Sequence, residues 1–210
     1  LTPNGLALQL YGFGYALAPD ASGYESYWSK DKQYHQSATG SNTILPGYAE
    51  GDIVIRAMEP SVEAGSFVNT QALNPHINLC DMEAGEKRRV VTLVKTTPDK
   101  GYYVDIFRSN QPENDYLFHN VGTSLGLKDV AGNPLPLTET GLLDKTYGEG
   151  YHWFKKLRKV TYSDDFRVIW NITSGEQPLS MQMWMTGAQG RELYVMETPY
   201  TTLQRGLTPE

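Results

Sequence analysis

The chain has 210 residues, with 18 Lys+Arg against 24 Asp+Glu and a net charge of −6. That length suits one large all-β domain or two small ones, and it is enough for a core that hides roughly 70% of the unfolded surface. A hydrophobic fraction of 40% with 20% charged residues excludes a disordered chain. No run approaches ~18 consecutive apolar residues, which excludes a membrane-spanning helix. The acidic balance argues against a nucleic-acid binder with a basic face. A single cysteine, Cys80, allows neither an internal disulfide nor a cysteine-based zinc cluster. The 14 Tyr and four Trp are many for this length, and such rings either stack on sugars or fill a core. The chain opens on Leu1 and stops at Thr208-Pro209-Glu210 just after a strand-like run; the expectation is a single domain, residues 1–210, cut from a longer protein.

In chain order, Leu6–Tyr11 alternates apolar with small or polar residues. Gly12 and Gly14 break the run before Tyr15–Ala18, a hairpin-like unit closed by Pro19-Asp20. Residues 21–41 are polar and rich in Tyr and Ser without a clear period, which reads as a long loop, and loops of that length are usually functional. Further strands are expected at Asn42–Leu45, Asp52–Met58, Phe67–Ala72, Arg88–Thr96, Tyr102–Ser109 and Tyr116–Val121. Arg88–Thr96 and Tyr102–Ser109 flank Thr97-Pro98-Asp99-Lys100-Gly101, turn chemistry at every position and the best hairpin in the chain. Residues 122–150, punctuated by Gly and Pro, read as loop. Strands follow at Tyr151–Val160, Phe166–Ile172, Leu179–Thr186 and Glu192–Glu197. Met181, Met183 and Met185 at spacing two read as the core face of one of them. No internal repeat and no amphipathic helix of about three turns stands out. The pattern predicts an all-β fold, an antiparallel β-sandwich (supersandwich-like) of about a dozen strands.

The phosphate-loop, nucleophile-elbow and zincin motifs are all missing, and Gly12-Phe13-Gly14 lacks the remainder of a dinucleotide fingerprint. His35, His76, His119 and His152 show no metal-ligand spacing. His119 reads as an imidazole hydrogen-bonded inside the sandwich, and His35, in the polar loop, as the histidine to test first. The basic runs Lys87-Arg88-Arg89 and Lys155-Lys156-Leu157-Arg158-Lys159 read as a solvated face or a protected sheet edge, with attraction for an anionic polymer as the alternative. Asn171-Ile172-Thr173 fits a glycosylation acceptor but interrupts a strand pattern.

The order of several segments resembles the β-sheet domain of heparinase II/III-like polysaccharide lyases. The opening LTPNGLALQLYGFGYALAPD, the Tyr-rich loop and SATGSNTI are similar to the start of that domain. RRVVTLVKTTPDKGYYVDIFRS, NDYLFHNVG, GYHWFKKLRKV and FRVIWNI look like its later strands. The likeness covers nearly the whole chain, carried by the ensemble rather than by any one motif.

The resemblance implies a parent enzyme in which an upstream (α/α) toroid supplies most catalytic groups and this domain closes the cleft. Its reaction is a β-elimination: a base takes the proton α to a uronate carboxylate and the 4-O-linked chain leaves. The implied partners are an acidic polysaccharide and the toroid, and the implied setting is bacterial, secreted or periplasmic. By position, Tyr27 falls where relatives place a substrate-contacting tyrosine able to act as general acid, and Tyr24, Tyr34, His35 and Asn42 fall around the substrate. The family's zinc ligands map onto Thr2, Asp20 and Ser41. Only Asp20 keeps a ligand, so the expectation is no metal and no cofactor, since a structural zinc takes four ligands. The fragment alone is expected to be inactive. The alternative is a non-catalytic carbohydrate-binding or structural sandwich.

Overall fold

A computed structural model describes residues 6–19, 32–36, 38–46, 66–84, 87–122, 124–141, 151–172 and 178–199. Among these the strands are β1 Leu10–Gly12, β2 Tyr15–Ala18, β3 Ile44–Pro46, β4 Ser66–Asn74, β5 Ile77–Ala84, β6 Lys87–Thr97 and β7 Lys100–Ser109. They continue with β8 Asn114–Tyr116, β9 Ser124–Asp129, β10 Thr138–Glu139, β11 Lys155–Thr161, β12 Phe166–Asn171, β13 Ser180–Met185 and β14 Glu192–Glu197. The sole α-helix among the described residues is the five-residue α1, Lys32–Gln36. Every strand pair is antiparallel. The fold is all-β, built from several antiparallel sheets, consistent with a β-sandwich.

A four-strand meander, β4-β5-β6-β7, occupies the middle of the chain. The expected hairpin is its last step: β6 and β7 pair from Lys87↔Ser109 to Thr97↔Lys100, around Pro98-Asp99. Proline and aspartate favour the tight turn, and the turn fixes which residues share a face. Two three-stranded sheets, β13-β12-β9 and β10-β11-β14, are built from the C-terminal part of the chain. Between them lies a core of Leu127, Leu135, Phe166, Val168, Trp170 and Val195, with Met181, Met183 and Met185 packed against it. On β12 the period-two pattern is plain, with Phe166, Val168 and Trp170 inward and the residues between them outward. Methionine at alternate positions of β13 fills the facing gaps, and Gln182 and Trp184 point out, as the spacing predicts. A second core cluster, with Tyr34, Leu45, Leu117, Tyr151, Phe154 and Leu157, joins the short β3–β8 ladder to β11.

Five expectations are corrected. Residues 32–36, read as part of an irregular loop, form α1 and are followed by a 3-10 turn, Ala38–Gly40. Tyr34 buries its ring edge-on against Phe154, so tertiary burial sets the local backbone where no sequence period does. Only the start of the expected strand Tyr116–Val121 is paired; beyond it side chains replace the ladder, with His119 N–H donating to Asn42 Oδ1 and Gly122 N–H to Asn120 Oδ1. The chain at 122–150, read as loop, contains β9 and β10. Leu125 and Leu127 of β9 face the core while Gly126 sits on the outer side, which hides the strand behind a glycine. β5 was not expected, because Asn78, Asp81 and Glu83 dilute its pattern; pairing on both sides holds it as a central strand. Finally, Tyr151–Trp153 is a 3-10 turn and β11 begins at Lys155, beside a register shift where Lys156 has φ 50°. The expected strand Asp52–Met58 lies outside the described residues.

The core assignment predicts that Phe154→Ala lowers stability by roughly 3–5 kcal/mol in urea unfolding, whereas Gln182→Ala on the outer face changes it by no more than about 0.5 kcal/mol. Equal effects at the two positions would show the faces to be wrongly assigned.

Candidate functional site

The polar centre of the molecule is built from the inward face of β6 and β7. Arg89 is fully buried, and its guanidinium is forked onto Asp105: Nε donates to Oδ1 at 2.9 Å and Nη2 to Oδ2 at 2.6 Å. Nη1 donates to two backbone carbonyls, Leu6 O and Asn42 O, each at 2.6 Å. The guanidinium also lies 4.6 Å from the centroid of Phe107. Tyr116 Oη completes the group by donating to Asp105 Oδ2 at 3.1 Å, and burial followed by the Asp105 charge raises the phenol above its ordinary pKa. A charge without water costs several kcal/mol unless it is paired and hydrogen-bonded, and this one is both.

Asn42 continues the chain of contacts. Its Nδ2 donates to Leu8 O at 2.9 Å and Pro19 O at 3.0 Å, which fixes the amide orientation. Oδ1 therefore faces His119, accepting from its backbone N–H and lying 3.2 Å from Nδ1. An amide oxygen only accepts, so the network assigns the imidazole proton to Nδ1 and leaves Nε2 as an acceptor. Tyr34 Oη sits 2.9 Å from that Nε2, where with this tautomer it is the donor of the pair. Burial pushes the His119 pKa down to about 4, with the Thr39 carbonyl offsetting this only in part, so the ring is neutral at pH 7. The result is a phenol hydrogen-bonded to a neutral imidazole whose far nitrogen is held by a fixed amide. His35 lies edge-on to Tyr34, with ring centroids 5.5 Å apart. On its other side His119 lines a cavity of about 270 Å³ between the two three-stranded sheets, shared with Tyr116, Tyr151, Phe154, Trp170 and Arg191.

Of the residues singled out in the sequence, Tyr34, His35 and Asn42 are brought together. They are 1%, 2% and 0% exposed, so their side chains meet protein and not solvent. Asn42 has its amide engaged in hydrogen bonds within the chain. Tyr24, Tyr27, Asp20 and Thr2 lie outside the described residues; Ser41 is buried. Among the described residues, no three His, Cys, Asp or Glu side chains gather as a metal site would need. His119 has the structural hydrogen bonds expected of it. Arg89 and Asp105 were missed. The run 87–89 was read as solvated, yet Lys87 and Arg89 point inward and only Arg88 turns out, pairing with Asp81 at 2.6 Å and holding that carboxyl below its usual range. The second run behaves as expected: Lys156 and Lys159 are exposed or half-exposed and pair with Glu197 and Glu192.

Comparison with known proteins adds one likeness. The chain is 28% identical, over an alignment of 192 residues, to an endo-acting ulvan lyase of Formosa agariphila. The alignment covers 75% of this chain, and the chain spans about a quarter (23%) of the length of that relative. No family model matches the chain, and no solved structure matches it. The chain is thereby related to a polysaccharide lyase over most of its length. No helix among the described residues is long and apolar enough to cross a membrane.

Two outcomes follow from the seam. Because the folded pKa of His119 lies near 4, below the ordinary 6.5, the unfolded chain binds a proton in this window that the folded chain refuses. Stability is therefore full above pH 6.5, falls as pH drops toward 4 and levels off below that, after a loss of roughly 3 kcal/mol. Urea midpoints measured against pH should show this slope in the wild type and lose it in His119→Gln; parallel curves would contradict the assignment. Arg89→Met, which strands Asp105, should cost roughly 3–5 kcal/mol in the same assay.

Proposed function

We propose that this chain is the β-sheet domain of a longer, secreted or periplasmic bacterial polysaccharide lyase of the heparinase II/III-like kind, acting by β-elimination on a uronic-acid-containing polysaccharide such as ulvan. The observation that carries the reading is the match to an ulvan lyase across three-quarters of the chain, and the all-β architecture is in keeping with it. In this reading an upstream (α/α) toroid supplies the base that takes the proton α to the carboxylate. This domain closes the cleft, to which the loop read at residues 21–41 contributes its tyrosines. Tyr27 serves as general acid to the departing oxygen and Tyr24 contacts the sugar. α1 follows these residues in the chain, and the Tyr34–His119–Asn42 hydrogen bonds anchor α1 to the core.

A second reading, a carbohydrate-binding or structural sandwich in a parent without lyase chemistry, is favoured by Thr2 and Ser41 standing where the family it resembles has zinc-binding histidines. The two separate in one assay. The full-length parent, incubated with ulvan and a panel of uronate polymers, should generate the ultraviolet absorbance of an unsaturated uronate. Tyr27→Phe should lower kcat by about 10²–10⁴-fold, the usual worth of a general acid, while Tyr24→Phe acts mainly on KM. No absorbance from any polymer favours the second reading, and a loss below about threefold in Tyr27→Phe removes that residue from the chemistry.

A further inference from the structure

The outward face of β13, β12 and β9 carries an arrangement that neither the core nor the buried seam uses. The register aligns Trp184, Arg167 and Lys128 in one row across the three strands. The next row is Gln182, Ile169 and Gly126, and the last is Ser180, Asn171 and Ser124. Asn171 Nδ2 donates to Ser124 Oγ at 2.8 Å, as residues on one face should. Strands about 4.8 Å apart and same-face residues about 6.8 Å apart make this a platform of roughly 10 Å by 14 Å, the footprint of a short oligosaccharide.

Its chemistry is specific. Trp184 is 65% exposed, a large ring left in water on an otherwise regular strand. The two cations beside it lack carboxylate partners: neither Arg167 nor Lys128 forms an ion pair among the described residues, whereas Arg88, Lys156 and Lys159 each do. Arg167 Nη2 donates to Val130 O at 2.7 Å, which orients the guanidinium, while its Nε is buried without a hydrogen-bond partner and faces away from any ligand on this face. Gly126 adds a notch, since a Cβ there would meet nothing closer than Lys128 Cε at 3.9 Å. Gln182, Asn171 and Ser124 supply amide and hydroxyl groups around it. In a chain of net charge −6, two unpaired cations flanking an exposed indole fit a ligand that is both ring-shaped and anionic.

We propose that this face is a binding platform for an anionic polysaccharide. A pyranose ring lies on the Trp184 indole, Arg167 and Lys128 take its carboxylate or sulfate, and the amide and hydroxyl rows take ring hydroxyls. The platform holds polymer apart from the cleft that closes over the reacting sugar. The choice of a sugar over other anions rests on the lyase reading of the chain.

Affinity electrophoresis of the 210-residue chain tests this, in native gels containing ulvan, alginate (uronate without sulfate), dextran sulfate (sulfate without uronate) or neutral dextran. Retardation is expected in ulvan and in at least one of the two other charged polymers, which identifies the anion read, and not in dextran. Trp184→Ala, Arg167→Gln with Lys128→Gln, and Gly126→Trp, which fills the notch, should each weaken it at least about tenfold. Unchanged circular dichroism and melting confirm that these surface variants fold. The proposal is overturned by no retardation in any charged polymer, by equal retardation in dextran, or by a Trp184→Ala chain retarded like the wild type, which would indicate charge alone. Duplex DNA that competes away ulvan as well as ulvan does would also overturn it. A parent without β-elimination whose 210-residue chain still binds would sink the lyase reading and leave the platform standing.

Discussion

A guanidinium with no access to water imposes the strongest constraint in this molecule. Arg89 can stay buried only while Asp105 neutralises it and carbonyl oxygens occupy its remaining donors. Those carbonyls belong to Leu6 and Asn42, far away in sequence, so satisfying one charge brings the N-terminal segment, the β3 approach and the β6–β7 hairpin to a single point. Asp105 in turn receives Tyr116 from β8. Hydrophobic burial holds the sheets together without direction; this charged knot fixes how they are placed. The orientation of Asn42, the tautomer of His119 and the aim of the Tyr34 hydroxyl all descend from it.

The architecture divides labour accordingly. The two C-terminal sheets form an ordinary sandwich interior of Leu, Val, Phe, Trp and Met, which needs no polar help. The polar seam lies where that interior meets the meander and the short β3–β8 ladder, and regular pairing gives way there to side-chain hydrogen bonds along 117–122. Tyr34, hydrogen-bonded to His119 and packed on Phe154, ties α1 to that seam. The binding platform sits on the most regular part of the fold, where strand spacing alone sets the distances between side chains.

Legibility in the sequence followed the reach of each interaction. The hairpin at Pro98-Asp99 and the alternation of Met181, Met183 and Met185 are local patterns, and both were readable. The same hairpin register places Arg89 and Asp105 on one face, two residues offset on adjacent strands. Their pairing was within reach of the sequence, but a run of three basic residues reads first as a solvated edge. α1 was not legible, because a five-residue helical turn has no period and owes its shape to the burial of Tyr34. β9 was masked by Gly126, whose missing side chain costs the core nothing since it faces outward. Of the buried network, Tyr34 and Asn42 were singled out in the sequence for a different reason, a family resemblance, and nothing local reveals that His119, 77 residues from Asn42, joins them.

This network fixes the imidazole with its proton on Nδ1 and its Nε2 lone pair toward the Tyr34 hydroxyl. Ring ¹⁵N chemical shifts of His119 measure this directly. A neutral ring at pH 7 with a protonated Nδ1 and an acceptor Nε2 is expected, the tautomer disappearing when Arg89→Lys loosens the Asn42 backbone. A ring protonated on Nε2, or one averaging between tautomers in the wild type, would contradict it.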